Sequence, residues 1–262
     1  MRRINTWVGV LLTIFLMVAN TSTYAGGTKP TPPLDNILHS ARSTFSSGNS
    51  SVSIQEMEYS IKKYYYQIQY QNQKLEILKE VKGHFEKSIS KATEKYDEGE
   101  EGISQSDITK LKLGLAGTLN DIYEIETNIH IARLSLTDIL GDEFSPDAEL
   151  SEPEIIPVEF EVVDYEAWIK QGGSDSKEKD VNLRQSYLKV VEAMKKMDLA
   201  QKNRKITRAL LVSEVANYDF GIGDAGDLFE ALVIYTRVLN GYYDSVYNFN
   251  LSVANLERFK VI

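Results

Sequence analysis

The sequence has no cysteine. That excludes disulfides, a thiolate nucleophile and a lipidated N-terminal Cys, so nothing covalent would tie the mature chain to a membrane. Histidine is scarce: His39, His84 and His130 stand singly, without the paired spacing or Cys companions of a metal site. Positive charge is in deficit, with 29 Lys+Arg against 38 Asp+Glu and a formal net charge of −9, which argues against nucleic acid as a partner. No alternating run of about ten residues of the kind a membrane-barrel strand needs occurs anywhere. No Ser/His/Asp or paired-carboxylate arrangement stands out, and the chain does not read as an enzyme or as a holder of any cofactor.

The apolar residues that are present, 42% of the chain, suit a folded protein with a sizeable core. Arg2 and Arg3, the apolar run Trp7 to Val18 and the stretch ANTSTYA ending at Ala25 have the layout of a secretory signal over 1–25. The run is too short for an ordinary membrane span, and an uncleaved anchor is the alternative. Cleavage after Ala25 removes two positive charges and no negative ones, taking the net charge from −9 to −11. Residues 26–51 form a leader with extended-backbone prolines and a short helix from Leu34 to Phe45.

From Val52 a seven-residue repeat sets in. Ile54, Ile61, Ile68, Leu75, Ile89 and Tyr96 lie on one row, Met57, Tyr64, Leu78, Phe85 and Ala92 on the other, with Lys82 and Gln71 the polar intruders. This predicts a coiled-coil helix roughly 65 to 70 Å long. A second seam (Ile108, Leu111, Leu115, Ile122, Ile125, Ile129, Ala132, Leu136) returns to Gly141, a C-terminal cap. Residues 142–178 are acidic and carry Pro146, Pro153 and Pro157, so they read as a crossing segment, with a short strand over Glu159 to Val163 and a helical turn over Tyr165 to Lys170. Over 179–262 a third helix runs to Phe220, its seam failing between Gln201 and Arg208. A fourth runs from Asp227 with two apolar rows, one through Leu228, Tyr235, Tyr242 and Phe249 and one through Leu232, Leu239 and Val246. A face that wide meets more than one neighbour.

Two glycine-bearing tips join these helices. Tyr96-Asp-Glu-Gly99 leads through Gly102 and Ile103 to Asp107, and Tyr218-Asp-Phe220-Gly221 leads through Ile222, Gly223 and Asp224 to Asp227. Tyr96 matches Tyr218, Gly99 matches Gly221 and Asp107 matches Asp227. Beyond the tips the offset holds at 120, pairing Leu119 with Leu239, Tyr123 with Tyr243 and Leu136 with Leu256. The reading is an all-α chain of two long antiparallel coiled-coil hairpins from an internal duplication (52–141 and 179–262), arranged as four helices up-down-up-down. Both tips then lie at one end, and the leader, crossing segment and C-terminus at the other.

YDEG with SDITKLKL, and YDFG with GDLFEAL, resemble the two hairpin turns of the TolC-type outer-membrane efflux channels, whose turns follow a Tyr-x-x-Gly, then Asp-Val/Leu-x-x-Ala pattern. The crossing segment with Asp180-Val-Asn-Leu-Arg184 is similar to that family's equatorial connector. The resemblance implies the periplasmic helical part of a tripartite efflux system: an exported chain associated with the cell envelope and outer membrane, working with a periplasmic adaptor and an inner-membrane pump, and forming a homo-oligomer, a trimer in the family. It also implies that Gly99, Gly102, Ile103, Asp107, Phe220, Gly221, Ile222, Gly223 and Asp227 lie where an adaptor is contacted. The family's barrel strands are missing here, which puts autonomous pore activity in question. A stand-alone periplasmic coiled-coil scaffold without transport is the alternative.

Other motifs have plainer explanations. Gly221-Ile-Gly-Asp-Ala-Gly226 matches G-x-G-x-x-G, but a dinucleotide site needs a strand before it. Asp219, Asp224 and Asp227 lack the spacing of a calcium loop and suit helix capping, by Asp224 or Asp227. Tyr64, Tyr65, Tyr66 and Tyr70 read as aromatic packing rather than a stacking platform. Ile103, Phe220 and Ile222 are apolar residues at points a long hairpin exposes, which suits docking of another helical tip.

Overall fold

The computed structural model describes residues 30–45, 53–99, 102–141, 144–161, 163–170 and 181–259. Residues 1–25, for which a secretory signal was expected, and residues 46–52, 171–180 and 260–262 lie outside them. Among the described residues the chain is all-helical and has no strand: α1 (Leu34–Phe45), α2 (Ile54–Asp97), α3 (Gln105–Leu140), α4 (Tyr165–Trp168), α5 (Val181–Asp219) and α6 (Ala225–Glu257).

Local chemistry sets the helix ends. Side chains of Ser53 and Asp224 accept from the amides of Glu56 and Asp227, so α2 and α6 each start with one orphan N–H satisfied. α3 opens on a reciprocal box in which Ser104 accepts from the Asp107 amide and Asp107 accepts from the Ser104 amide.

α2 and α6 are the inner pair. They run antiparallel, as four contacts in opposite order show: Lys62 to Glu257 at 2.5 Å, Lys74 to Asp244 at 3.0 Å, the Tyr235 hydroxyl to Glu80 at 2.8 Å, and the Phe85 and Phe229 rings at 6.1 Å. α3 lies against α2, with a smaller contact to α6, and α5 lies against α6. Gly114 lets α3 approach closely, since a Cβ there would stand 2.6 Å from the Phe85 ring. The inner position explains a width that the two-row repeat understates: besides Ile61, Ile68, Leu78, Phe85 and Ala92, α2 also buries Tyr65, Ile77 and Val81.

Two main apolar clusters fill the bundle. One, at the tip end, joins Val81, Phe85, Leu111, Leu211, Leu228 and Leu232. The other, at the base, joins Ile61, Tyr65, Leu136, Leu183, Val190 and Phe249, among others. Tyr65 and Tyr66 are buried in the base cluster, and Tyr70 stacks on Tyr247 with centroids 4.4 Å apart. The tyrosine run is therefore packing, and burial raises the Tyr65, Tyr66 and Tyr70 hydroxyl pKa values.

At the base the crossing segment is held by side chains rather than by a sheet. No strand forms over the described part of 159–163, which corrects the expectation for Glu159 to Val163. The neighbours here are helices with no free ladder edge to offer, so backbone groups pair with side chains instead. Asn250, 1% exposed, accepts from the Val158 amide at 2.9 Å and donates to the Ile156 carbonyl at 2.8 Å, and the Tyr187 hydroxyl donates to the Val163 carbonyl. Gln69 donates to the Glu152 carbonyl at 2.7 Å, and a single parallel bridge joins Thr31 to Leu150.

Asn250→Leu leaves the Val158 amide and the Ile156 carbonyl without their partner at a buried place. The expected cost is about 1–3 kcal/mol, measured as a shift in urea midpoint. An unchanged midpoint would mean that Asn250 does not hold the crossing segment.

Candidate functional site: the paired tips

The ends of α2 and α5 stand side by side. Lys91 on α2 donates to the Tyr218 carbonyl at 3.0 Å and to the Asp219 carbonyl at 2.7 Å, while Lys87, one turn earlier, is bonded to the Asp219 carboxylate at 2.7 Å. The Tyr218 ring is buried under this clasp, with the Lys91 ammonium 5.2 Å from its centroid and its hydroxyl donating to the Ser88 carbonyl at 3.3 Å. A lysine at the last carbonyls of a helix also meets the negative end of its dipole. The ion pair with Lys87, aided by Lys91, holds the Asp219 carboxyl below its ordinary range.

The turn that follows is closed by its backbone. Gly221 has φ 74°, a left-handed conformation that a residue with a Cβ rarely adopts, and the amides of Ile222 and Gly223 both return to the Asn217 carbonyl, at 2.9 and 3.0 Å. A Cβ on Gly223 would stand 3.0 Å from that of Asn217. Phe220 and Ile222 are each 80% exposed on this closed turn. Asp224 is the N-cap of α6, and Asp227 supplies the amide it accepts from. Because the Asp224 carboxylate occupies the start of α6 and a helix precedes the glycines, the G-x-G-x-x-G spacing has neither the strand nor the free amides of a phosphate cradle.

The first tip is built differently. Gly99 and Gly102 both have positive φ, at 75° and 98°, and Asp107 belongs to the capping box of α3. Ile103 is half-buried against the tip-end cluster, which differs from its expected exposure: its side chain closes the end of the core instead of facing solvent. Tyr96 is 44% exposed where its counterpart Tyr218 is buried, so the two tips are not equivalent. Lys87 and Lys91 were not singled out from sequence. Their spacing of four puts them on one helix face, but nothing local says that Asp219 lies opposite.

Among the described residues no group of three or more His, Cys, Asp or Glu could hold a metal, and no helix is long and apolar enough to cross a membrane. No family model matches the chain, and no curated protein matches it.

Asp219 has a depressed carboxyl in the folded chain, so its contribution is present above the unfolded aspartate pKa and fades as pH falls through the folded value. The protection of the Ile222 and Gly223 amides, taken as the intrinsic exchange rate at each pH divided by the observed rate, is therefore expected to fall on acidification in wild type. Asp219→Asn should lose that acid sensitivity, with a stability change below about 1 kcal/mol. Equal acid sensitivity in the two proteins would remove Asp219 from the clasp.

Proposed function

We propose that the chain is the periplasmic helical component of a TolC-like efflux or secretion system, built from two duplicated coiled-coil hairpins, which meets a periplasmic adaptor through its tips. The observation that carries this reading is the exposure of Phe220 and Ile222 on a turn closed by its own backbone and clasped by Lys87 and Lys91. Two large apolar side chains held out on an ordered support are costly to leave in water and are suited to docking. The adaptor in turn works with an inner-membrane pump, and the chain assembles with copies of itself, as a trimer in the family it resembles. Export to the periplasm follows from the signal-like 1–25, and association with the outer membrane runs through partners.

A stand-alone periplasmic scaffold is the second reading. It is favoured by the lack of barrel-type alternation in the sequence.

Substituting Ile222→Asp separates the two. If the tip docks, a carboxylate is carried into the contact and adaptor binding weakens by about 2–4 kcal/mol, while melting and helicity stay near wild type. Gly221→Val is the control, because a β-branched residue at positive φ strains the turn and lowers stability. Adaptor capture by Ile222→Asp at the wild-type level would remove the tips as the functional site.

A further inference from the structure

We propose that a polar cavity in the middle of the bundle, where Gln71 of α2, Asp121 and Glu124 of α3 and Asn240 of α6 converge, is a binding site for a small organic ammonium ion. Such a site is independent of what the tips contact and of assembly. The apolar filling of the bundle is interrupted at this level. Between Ile68 and Ile77 the residues that α2 buries are Gln69 and Gln71, and on α6 Asn240 follows Leu239, the last buried residue which that helix gives to the tip-end cluster. Gln69 is held by the Glu152 carbonyl, whereas Gln71 is not so well met. It is 5% exposed, and its Nε2 donates to the Tyr70 hydroxyl at 2.9 Å, but its Oε1 is buried without a hydrogen-bond partner. The buried Asn240 Oδ1 has none either. An unmet buried acceptor is destabilising, and folded proteins keep few of them without a reason.

The surroundings decide what would satisfy these oxygens. Gln71, Asn240, Asp121 and Glu124 line one cavity of about 360 Å³, at the small end of ligand sites, with Ile125 and Tyr70 as its apolar wall. The one cation lining it, Lys74, is bonded to Asp244 at 3.0 Å, so its charge is shared among three carboxylates. Burial and the neighbouring Glu124 hold the Asp121 carboxyl above its ordinary range, with Lys74 opposing them only in part. What is in excess is negative charge and unmet oxygen acceptors, and an ammonium group answers both, with a positive charge and several N–H donors. A bare metal ion fits less well, since among the described residues no group of three or more His, Cys, Asp or Glu could hold one. The volume also leaves space for a short carbon chain beside Ile125 and the Tyr70 ring. Fixing helix register is another reason for a polar residue in a helical core, and it predicts a different response to substitution.

The test titrates the full chain with n-butylammonium by calorimetry. One ion per chain is expected to bind saturably, and n-butanol and tetramethylammonium, which lack the charge and the N–H donors respectively, at least about tenfold more weakly. Asp121→Asn with Glu124→Gln, both at exposed positions, is expected to weaken binding about tenfold or more while the urea midpoint stays near wild type. Gln71→Leu removes an orphaned oxygen. Its midpoint without the probe is expected to be no lower than that of wild type, and the rise that n-butylammonium gives wild type is expected to disappear. No saturable heat from wild type at up to about 10 mM probe would mean a cavity that holds water only, and would overturn the proposal. Equal binding of tetramethylammonium, or wild-type affinity in the double variant, would overturn it as well. So would a Gln71→Leu chain that unfolds at lower urea and still responds to the probe, which is the behaviour of a residue serving register alone. Should Gln71→Leu fail to fold, the double variant at the exposed positions decides the matter by itself.

Discussion

The antiparallel contact of α2 with α6 is the constraint on which the rest of the molecule depends. Each inner helix has another long helix on its outer side, and the ends of both reach the base and the tip region. The ion pairs that cross this contact, Lys62 with Glu257 and Lys74 with Asp244, are partly exposed and are worth at most about 1 kcal/mol each. Side chains such as Phe85, Leu232, Tyr235 and Phe249 are almost wholly buried and contribute about 1.5–3 kcal/mol each. Apolar burial therefore supplies the adhesion, and the charged pairs select the register. Tyr235 combines the two: its ring is in the core, its hydroxyl donates to Glu80, and burial with that carboxylate raises its pKa.

The two ends of the bundle are finished by different means. At the base, the crossing segment is tied to α6, α2 and the start of α5 by directed hydrogen bonds from Asn250, Gln69 and Tyr187 and by the ring cluster of Tyr165, Trp168 and Tyr187. At the other end, the second glycine turn closes with its own amides, and the Lys87 and Lys91 clasp ties it to α2. A base sealed with polar and aromatic contacts and a tip that leaves Phe220 and Ile222 in water give the molecule a direction.

Much of the helical content was legible because the apolar residues recur at helical spacing for tens of residues, and because Asp224 is a capping residue type placed just before such a run; the caps Ser53 and Ser104 were not singled out. The failing seam between Gln201 and Arg208 was legible too, and among those residues only Thr207 is buried. What escaped sequence reasoning depends on contacts across more than a hundred residues. The repeat shows that Lys87 and Lys91 share a face but not that Asp219 lies opposite them. Glu159 to Val163 was expected as a short strand, yet a strand needs a neighbour with free backbone groups, and the described part of this segment meets helices. Ile103 and Ile222 look alike in sequence at the two tips, and only packing makes one part of the core and leaves the other exposed.

The central claim, that the molecule acts through its tip end, is tested most directly by a photoreactive amino acid in place of Phe220, activated in living cells, with the same residue in place of exposed Ile156 at the base as comparator. The account predicts that the Phe220 position becomes covalently joined to a periplasmic adaptor subunit, identified by mass spectrometry, and that the Ile156 position does not. Capture of the adaptor at Ile156 alone, or at neither position, would contradict it.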